Sequence, residues 1–236
     1  FTISGWAKPT DASDFQVIMS KWDDGTSANS VFRIVLSGGV CICALKKTGG
    51  STLATSTTTT TLTDGLWFHF AFTNDGSNLK GYINGVLQDT DSTTSGDLNT
   101  SDQNFLLGGQ YNGASVVNEF EGNLDEIAIW NEALTQAEIT QIYNTNKATL
   151  DLSTDTDSYS SSANLKMWLR MGDEASTRVL DTNANNLVIP DMRKTFFTGK
   201  SIDFDGTDDR INIGDQDLMT TEGTVSAWVN ARTISS

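Results

Sequence analysis

Alternation of apolar and polar residues with a period of two recurs through the first 130 residues and constrains the fold most. It is found in the segments FTISGWA, FQVIMSKW, SVFRIVL, VCICAL, LWFHFAFT, LKGYING and FLLGGQY. A period of two sends successive side chains to opposite faces of a strand, so each segment is predicted to be a half-buried strand. Gly38-Gly39 and Asn84-Gly85 are residues that two-residue hairpin turns require. The chain is therefore predicted to fold mainly into antiparallel hairpins.

One helix is predicted in the segment LTQAEITQIY. Thr135 and Glu138 have the spacing of a capping box, in which each side chain satisfies a backbone N–H of the other. Leu134 and Ile139 occupy the positions of a hydrophobic staple, and Ile142 extends an apolar stripe that is expected to lie on the body of the domain.

Composition excludes several classes of partner. The 236 residues carry 15 Lys and Arg against 30 Asp and Glu, a net charge of −15. Such a charge repels phosphate backbones and anionic lipid heads, so neither nucleic acid nor membrane is an expected partner, whereas a cation is. The sequence has no run of about 18 apolar residues, which a membrane-spanning helix needs.

The two ends of the chain are similar to each other. Residues 1–10, FTISGWAKPT, align with GTVSAWVNARTISS at residues 223–236, and Trp6 matches Trp228 at an offset of 228 − 6 = 222. Phe1 begins a predicted strand, without an initiator Met or a signal-peptide pattern before it. We therefore expect a fragment of a longer polypeptide that contains tandem copies of one module.

Several longer phrases carry a family resemblance when the chain is read from 164 to 236 and then from 1 to 147. They are MWLRMGD, SIDFDGTDDRINIG, FTISGWAKP, VIMSKW, LTDGLWFHFAFTNDGSNLKGYINGVLQ and FEGNLDEIAIWNEALTQAEITQIYN. In this order they resemble the laminin-G-like, concanavalin A-like jelly-roll modules. The resemblance implies an all-β, antiparallel two-sheet jelly-roll sandwich with one short C-terminal helix, plus the opening strands of a second such module.

The rotated order of the phrases implies a domain organisation. Residues 1–147 are interpreted as a module that lacks its first strands, residues 148–163 as a linker, and residues 164–236 as the N-terminal part of the next module. A sandwich without its first strands would expose unpaired edges and part of its core. We therefore expect residues 164–222 to complete it, in the same chain or from a neighbouring copy, unless other chains cover both parts.

The resemblance also implies a structural calcium ion. Modules of this type often hold one between a carboxylate of the last strand and a turn of the opening strands, which correspond to Asp125 and to Asp205-Gly206. Calcium takes six to eight oxygen ligands, and an acidic chain can supply them. The alternative is that Asp125 only hydrogen-bonds a turn.

A ligand-binding edge is predicted from loop positions. Most of the six tryptophans lie in alternating strands and are expected in the core, but Trp22 ends a strand. Loops at the rim of a sandwich carry variable function. We therefore predict that Trp22, Asp23 and Asp24, together with Tyr111 and Asn112, form the binding edge.

A catalytic centre is not predicted. Glycosidases on this scaffold place an acid and a nucleophile about 5 Å apart on one strand face. Glu119 and Glu121 alternate, but Asp125 and Glu126 are adjacent and are expected to face opposite sides. His69, the single histidine, has no acid or nucleophile beside it in the pattern and is interpreted as structural.

The predicted function is a non-catalytic, lectin-like module that binds a glycan or surface polymer, with neighbouring modules or copies of the chain as further partners. The phrase MWLRMGDE resembles modules of marine bacteriophage virion proteins, which implies a large extracellular or virion-surface protein. A purely structural repeat of a phage fibre or capsid decoration is the alternative, and a glycoside hydrolase on the same scaffold is favoured less.

Overall fold

Two antiparallel sheets stack face to face in the computed structural model. The structure describes residues 1–92 and 96–171, and residues 202–205 and 211–212 by their backbone. The strands are β1 Thr2–Pro9, β2 Gln16–Lys21, β3 Phe32–Ser37, β4 Val40–Lys46, β5 Thr52–Thr57, β6 Phe68–Asn74, β7 Leu79–Ile83, β8 Val86–Asp91, β9 Leu106–Leu107, β10 Gln110–Tyr111, β11 Val116–Val117, β12 Glu121–Trp130, β13 Leu165–Leu169, β14 Ile202–Asp205 and β15 Ile211–Asn212. The helix α1 covers Gln136–Asn144.

The sheets are built from these strands. Sheet A has the strand order β13-β12-β1-β6-β7-β8, with β14 also paired to β12, and sheet B has the order β15-β9-β2-β3-β4-β5. The strands β10 and β11 form a separate two-stranded ribbon. The predicted antiparallel jelly-roll sandwich is confirmed.

The predicted turns and helix cap have the expected geometry. Asn84 and Gly85 both have positive φ, 50° and 76°, as a hairpin turn that follows the sheet twist requires. At the helix start, the Thr135 N–H donates to Glu138 Oε2 at 2.8 Å, and the Glu138 N–H donates to Thr135 Oγ1 at 3.3 Å. The capping box read from the sequence is therefore confirmed.

Buried apolar side chains form two clusters, one on each side of sheet A. The first fills the space between the sheets and includes Ile3, Phe70, Phe72 and Leu124. The second covers the outer face of sheet A beneath α1 and includes Trp130. Among the described residues, no helix is long and apolar enough to cross a membrane.

Strands from the later part of the chain pair with the earlier ones. The β13 strand pairs with residues 127–130 of β12, and β14 pairs with residues 121–124 of the same strand. The β15 strand pairs with β9 in sheet B. Completion of the sandwich within one chain, one of the expected arrangements, is thus observed. The division into successive modules stays a prediction, and Trp228 lies outside the described residues.

The segment 148–163, interpreted as a linker, packs onto the sandwich. Leu150, Leu152 and Tyr159 are buried in the cluster on the outer face of sheet A. Leu165 follows them into the same cluster and begins β13. The polar residues between these anchors form turns that face solvent, which is why the composition resembles that of a linker.

Candidate functional site

Two segments far apart in the sequence meet at one rim of the sandwich. Asp23 forms a parallel bridge with Tyr111, the Tyr111 N–H donates to the Trp22 carbonyl at 3.2 Å, and the Asp24 N–H donates to the Tyr111 carbonyl at 2.9 Å. The structure thus brings together all five residues predicted for the binding edge, including the neighbouring Asn112. We call Trp22, Asp24, Arg33, Gln110, Tyr111 and Asn112, with the adjacent Phe15, the rim cluster.

Asp23 fixes the shape of this rim. It is 3% exposed, and its carboxylate accepts from the Gly25 N–H at 2.8 Å and from Gln103 Nε2 at 3.0 Å. Its backbone N–H donates to Ser30 Oγ at 3.0 Å. A Cβ at Gly25 would lie 2.5 Å from the Asn112 carbonyl oxygen, so the two loops touch through backbone. Asp23 therefore has a structural role beneath the surface.

The Trp22 ring is covered by two cations. Only 6% of the residue is exposed, and its Nε1 donates to Asp24 Oδ1 at 2.8 Å. The Arg33 guanidinium carbon lies 4.3 Å from the ring centroid, and Lys46 Nζ lies 5.0 Å from it. Cations over an indole face are favourable contacts. Trp22 thus supports charged side chains and does not present an open face to a sugar.

Arg33 lies at the centre of the rim cluster. Its Nη1 donates to Asp24 Oδ1 and to Gln110 Oε1, both at 3.2 Å, while Gln110 Nε2 donates to Asp24 Oδ2. Phe15, 41% exposed, has its ring centroid 5.4 Å from the guanidinium carbon. Burial lowers the pKa of Arg33, and Asp24 opposes that shift. The guanidinium thus contacts two aromatic rings, Phe15 and Trp22, and a carboxylate.

The solvent side of the cluster is polar. The Asp24 side chain is 44% exposed and that of Arg33 is 23% exposed. Asn112 is exposed, and its Oδ1 accepts from the backbone N–H groups of residues 114 and 115 at 3.1 and 3.0 Å. A guanidinium donates paired hydrogen bonds to neighbouring oxygens, and carboxylate and amide oxygens accept hydrogen bonds from hydroxyl groups. The rim can therefore recognise a polyhydroxylated ligand.

Sequence reasoning did not identify Phe15, Arg33 or Gln110. A signal for Arg33 was present, because it is the only charged residue in the strand FRIVLS and occupies an outward-facing position of the alternation. Gln110 has no such signal: it reaches the cluster only because β10 runs beside residues 22–24.

The residues predicted to bind calcium are placed apart. The backbone of Asp205 pairs with that of Glu121 in β12. Asp125 lies four residues after Glu121, which is about 13 Å along the strand at the usual rise per residue. Gly206 lies outside the described residues. Asp125 is 1% exposed and its Oδ2 accepts from Lys147 Nζ at 3.0 Å. The described residues contain no group of three acidic, His or Cys side chains that could hold a metal ion. The described residues therefore do not match the set of calcium ligands predicted from the sequence. Calcium binding stays a prediction, and it requires Lys147 to leave Asp125.

A bulge places Asp125 and Glu126 in one charge network, and the expectation that they face opposite sides is wrong. The register between β1 and β12 shifts between Ser4 and Trp6, and Glu126 has a φ of +51°. An extra residue in one strand interrupts the strict alternation of side chains. The Glu126 carboxylate accepts a hydrogen bond from Trp168 Nε1 and, at 3.4 Å, one from Arg170 Nε. Burial raises the pKa of Glu126 to about 8, with Arg170 opposing the shift.

His69 is buried and neutral. It is 1% exposed, and burial lowers its pKa to about 3. Within the described part of the chain, neither ring nitrogen has a hydrogen-bond partner. The ring packs edge-on against Trp6 at a centroid distance of 5.3 Å. These contacts agree with the structural interpretation of this residue.

Comparison with solved structures shows the same fold in carbohydrate-related proteins. The chain is similar to the CBM40 module of a Ruminococcus gnavus IT-sialidase solved with α2,3-sialyllactose, at a TM-score of 0.53 and 20% identity, covering 61% of this chain and 82% of that one. It is also similar to the leech intramolecular trans-sialidase, at a TM-score of 0.53 and 19% identity, covering 61% of this chain and 23% of that one.

A third similar structure is a Bacteroides ovatus protein that is proposed to bind carbohydrate, at a TM-score of 0.52 and 16% identity. The alignment covers 71% of this chain and only 44% of that protein. No curated protein sequence matches the chain significantly.

A family model matches residues 1–140 of the sequence, and its description is the concanavalin A-like lectin/glucanases superfamily. This range includes the whole of strands β1 to β12. The matched range thus contains most of the strands of both sheets. The chain belongs to the concanavalin A-like lectin/glucanases superfamily.

Proposed function

We propose that this chain is a non-catalytic glycan-binding module that holds its ligand at the rim cluster. The observation that carries the proposal is the arrangement of Arg33, which contacts the rings of Phe15 and Trp22 and donates to the half-exposed carboxylate of Asp24. Ligand sites combine apolar or aromatic surface with a few fixed polar groups that set orientation. Sugars match this pattern, because they present apolar ring faces and rows of hydroxyl groups.

Roles in the proposed site follow from exposure. Phe15 supplies the open aromatic face, because it is 41% exposed whereas Trp22 is 6% exposed. Asp24 and Asn112 supply exposed oxygen and amide groups. Arg33 serves as a donor to hydroxyl groups and as the counter-charge to an acidic sugar. The CBM40 module of similar fold was solved with a sialylated ligand, which supports including acidic sugars among the candidates.

A glycan array with neutral and sialylated sugars tests this function, run with calcium and with a chelator. The variants are Asp24→Asn and Phe15→Ala. Their matched controls are Asp97→Asn, which neutralises an exposed carboxylate outside the rim cluster, and Leu66→Ala, which truncates an apolar side chain that is 60% exposed. We expect binding to fall at least tenfold in the two rim variants and to stay unchanged in both controls.

Three outcomes would contradict the proposal. If the folded wild-type chain bound no glycan on the array, a structural repeat would be favoured. Equal binding by the rim variants and the controls would place the ligand elsewhere. Hydrolysis of a bound glycan, lost in Glu121→Gln, would instead favour an enzyme.

We further propose that the module is one of several copies in an extracellular or virion-surface protein. The support is the sequence similarity between residues 1–10 and residues 223–236 at an offset of 222. Tandem sites would raise the apparent affinity of a weak single site. The test is the polypeptide sequence that precedes Phe1: phrases similar to SIDFDGTDDRINIG there support tandem copies, and an unrelated sequence contradicts them.

A further inference from the structure

The ammonium group of Lys147 lies in a cage made by two indole rings and one carboxylate. Its Nζ is 3.8 Å from the Trp67 ring centroid, 5.3 Å from that of Trp6 and 3.0 Å from Asp125 Oδ2. The Lys147 side chain is 25% exposed and that of Asp125 is 1% exposed. The carboxylate is therefore the buried end of the cage, and the Lys147 ammonium group lies on the side nearer to solvent.

The walls of the cage are fixed by sheet A and α1. Trp6 stands opposite Asp125 in the pairing of β1 with β12 and opposite His69 in the pairing of β1 with β6. Its ring stacks on Tyr143 of α1 at 5.6 Å with an interplanar angle of 22°. The pKa of His69, lowered to about 3 by burial, keeps that neighbour uncharged. Packing against His69 and Tyr143 thus fixes the Trp6 ring.

Lys147 reaches the cage from a different element. It begins a short 3-10 helix, Lys147–Thr149, that follows α1. Its carbonyl oxygen accepts from Arg170 Nη2 at 3.5 Å, and Arg170 itself pairs with Glu126. Burying a carboxylate without a counter-charge is costly. The cation is thus supplied by the segment that joins α1 to β13.

We infer that this cage is a binding site for a primary alkylammonium group, that Lys147 is its resident occupant, and that Lys147 holds the place at Asp125 predicted for calcium. Calcium takes six to eight oxygen ligands. Two of the three groups around Nζ are indole faces, which offer no oxygen but attract an organic cation. The ion pair also links the segment that follows α1 to β12.

Chemical rescue tests this assignment. Lys147→Ala removes three methylene groups and the ammonium, and n-propylammonium replaces the missing group. We expect the variant to melt several degrees below wild type and n-propylammonium to restore part of that loss. Propanol, sodium and calcium at matched ionic strength should not restore it. Lys166→Ala, a half-buried lysine of β13, is the matched control and should show no rescue.

A second readout separates the cage from general stabilisation. In Lys147→Ala, n-propylammonium should change tryptophan fluorescence with a saturable dependence on concentration, and Trp67→Phe in that background should reduce the change. Calcium that raises the melting temperature of the wild type or of Lys147→Ala would overturn the assignment, as would equal rescue by propanol. If Lys147→Ala does not fold, Lys147→Arg must be more stable than the neutral Lys147→Met; equal stability would overturn the assignment.

Discussion

The indole of Trp130 donates a hydrogen bond from Nε1 to the hydroxyl oxygen of Tyr159 at 2.9 Å. The Tyr159 hydroxyl in turn donates to the Leu152 carbonyl at 2.9 Å. Trp130 and Tyr159 are fully buried, and their rings meet edge to face at 6.4 Å. This chain of bonds joins β12 to the segment that the sequence predicted as a linker. That segment is therefore part of the packed outer face of sheet A.

Replacing Tyr159 by Phe should destabilise the protein by about 1–3 kcal/mol, because the Trp130 N–H and the Leu152 carbonyl would both lose a buried partner. Urea denaturation followed by tryptophan fluorescence measures this change. Tyr111→Phe is the matched control, since the Tyr111 hydroxyl lies at the rim and only accepts a long bond of 3.4 Å from Asn104. Equal costs for the two variants would contradict the anchoring role of Tyr159.

Strand positions and the helix start could be predicted because each rests on local chemistry. Alternation located the long strands, and the pair Asn84-Gly85 located a hairpin turn whose φ values are as expected. The capping box of Thr135 and Glu138 was likewise visible. Signals of this kind depend on residues within a few positions of one another, and one sequence is enough to read them.

The parts that sequence reasoning missed depend on distant pairing. The bulge at Glu126 uses a non-glycine residue with positive φ, and its side chain is held by Trp168 and Arg170 about 40 residues later. The segment 148–163 is held by only a few apolar anchors between polar turns, so its composition resembles that of a linker. Neither feature leaves a local pattern, because the stabilising contacts come from elsewhere in the chain.

Gly25 should tolerate no side chain without separating the two loops of the rim. A Cβ there would lie 2.5 Å from the Asn112 carbonyl oxygen and 2.8 Å from the Gly113 Cα, and both atoms are backbone. Gly25→Ala should therefore lower glycan binding at least tenfold and cost about 1–3 kcal/mol of stability, as overpacking does. The measurements are the array titration and urea denaturation.

Gly39→Ala provides a control for the change of residue. Gly39 has a φ of +80°, and a Cβ there would meet only the methyl group of Thr61 at an ordinary distance of 3.7 Å. We expect it to lower stability through backbone strain while glycan binding by the folded protein is kept. Loss of binding in Gly39→Ala as large as in Gly25→Ala would show that binding follows stability and not the contact between the loops.

Glu126 should make stability fall as pH rises. Burial raises its pKa from 4.5 to about 8, so between these values the folded protein holds a proton that the unfolded chain has lost. The stabilising contribution is complete below pH 4.5 and disappears as pH rises through 8. Each unit of difference in pKa corresponds to about 1.4 kcal/mol. We expect the wild type to lose on the order of a few kcal/mol relative to Glu126→Gln between pH 5 and pH 9.

The comparison uses the slope against pH, because Glu126→Gln also replaces the acceptor of the hydrogen bonds from Trp168 and Arg170 and so shifts the absolute stability. Urea denaturation at four or five pH values gives both slopes. Lys147 and Asp125 lie in the same network and stay unchanged in the two proteins. Parallel slopes would mean that Glu126 is ionised in the folded protein and that Arg170 outweighs desolvation.

Two carboxylates protect the edge of sheet B against pairing with another chain. The Thr55 N–H donates to Asp91 Oδ2 at 2.7 Å, and the Thr57 N–H donates to Asp89 Oδ2 at 3.0 Å, so β8 of sheet A caps β5 of sheet B. Unpaired edge N–H groups are a template for strand addition. Asp89→Ala with Asp91→Ala should therefore increase self-association, measured by light scattering over a concentration series. The control variant replaces Asp97 and Asp102, two exposed acidic residues, by Ala and changes the net charge equally. Equally strong aggregation of this control would assign the effect to the change of charge and not to the exposed edge of β5.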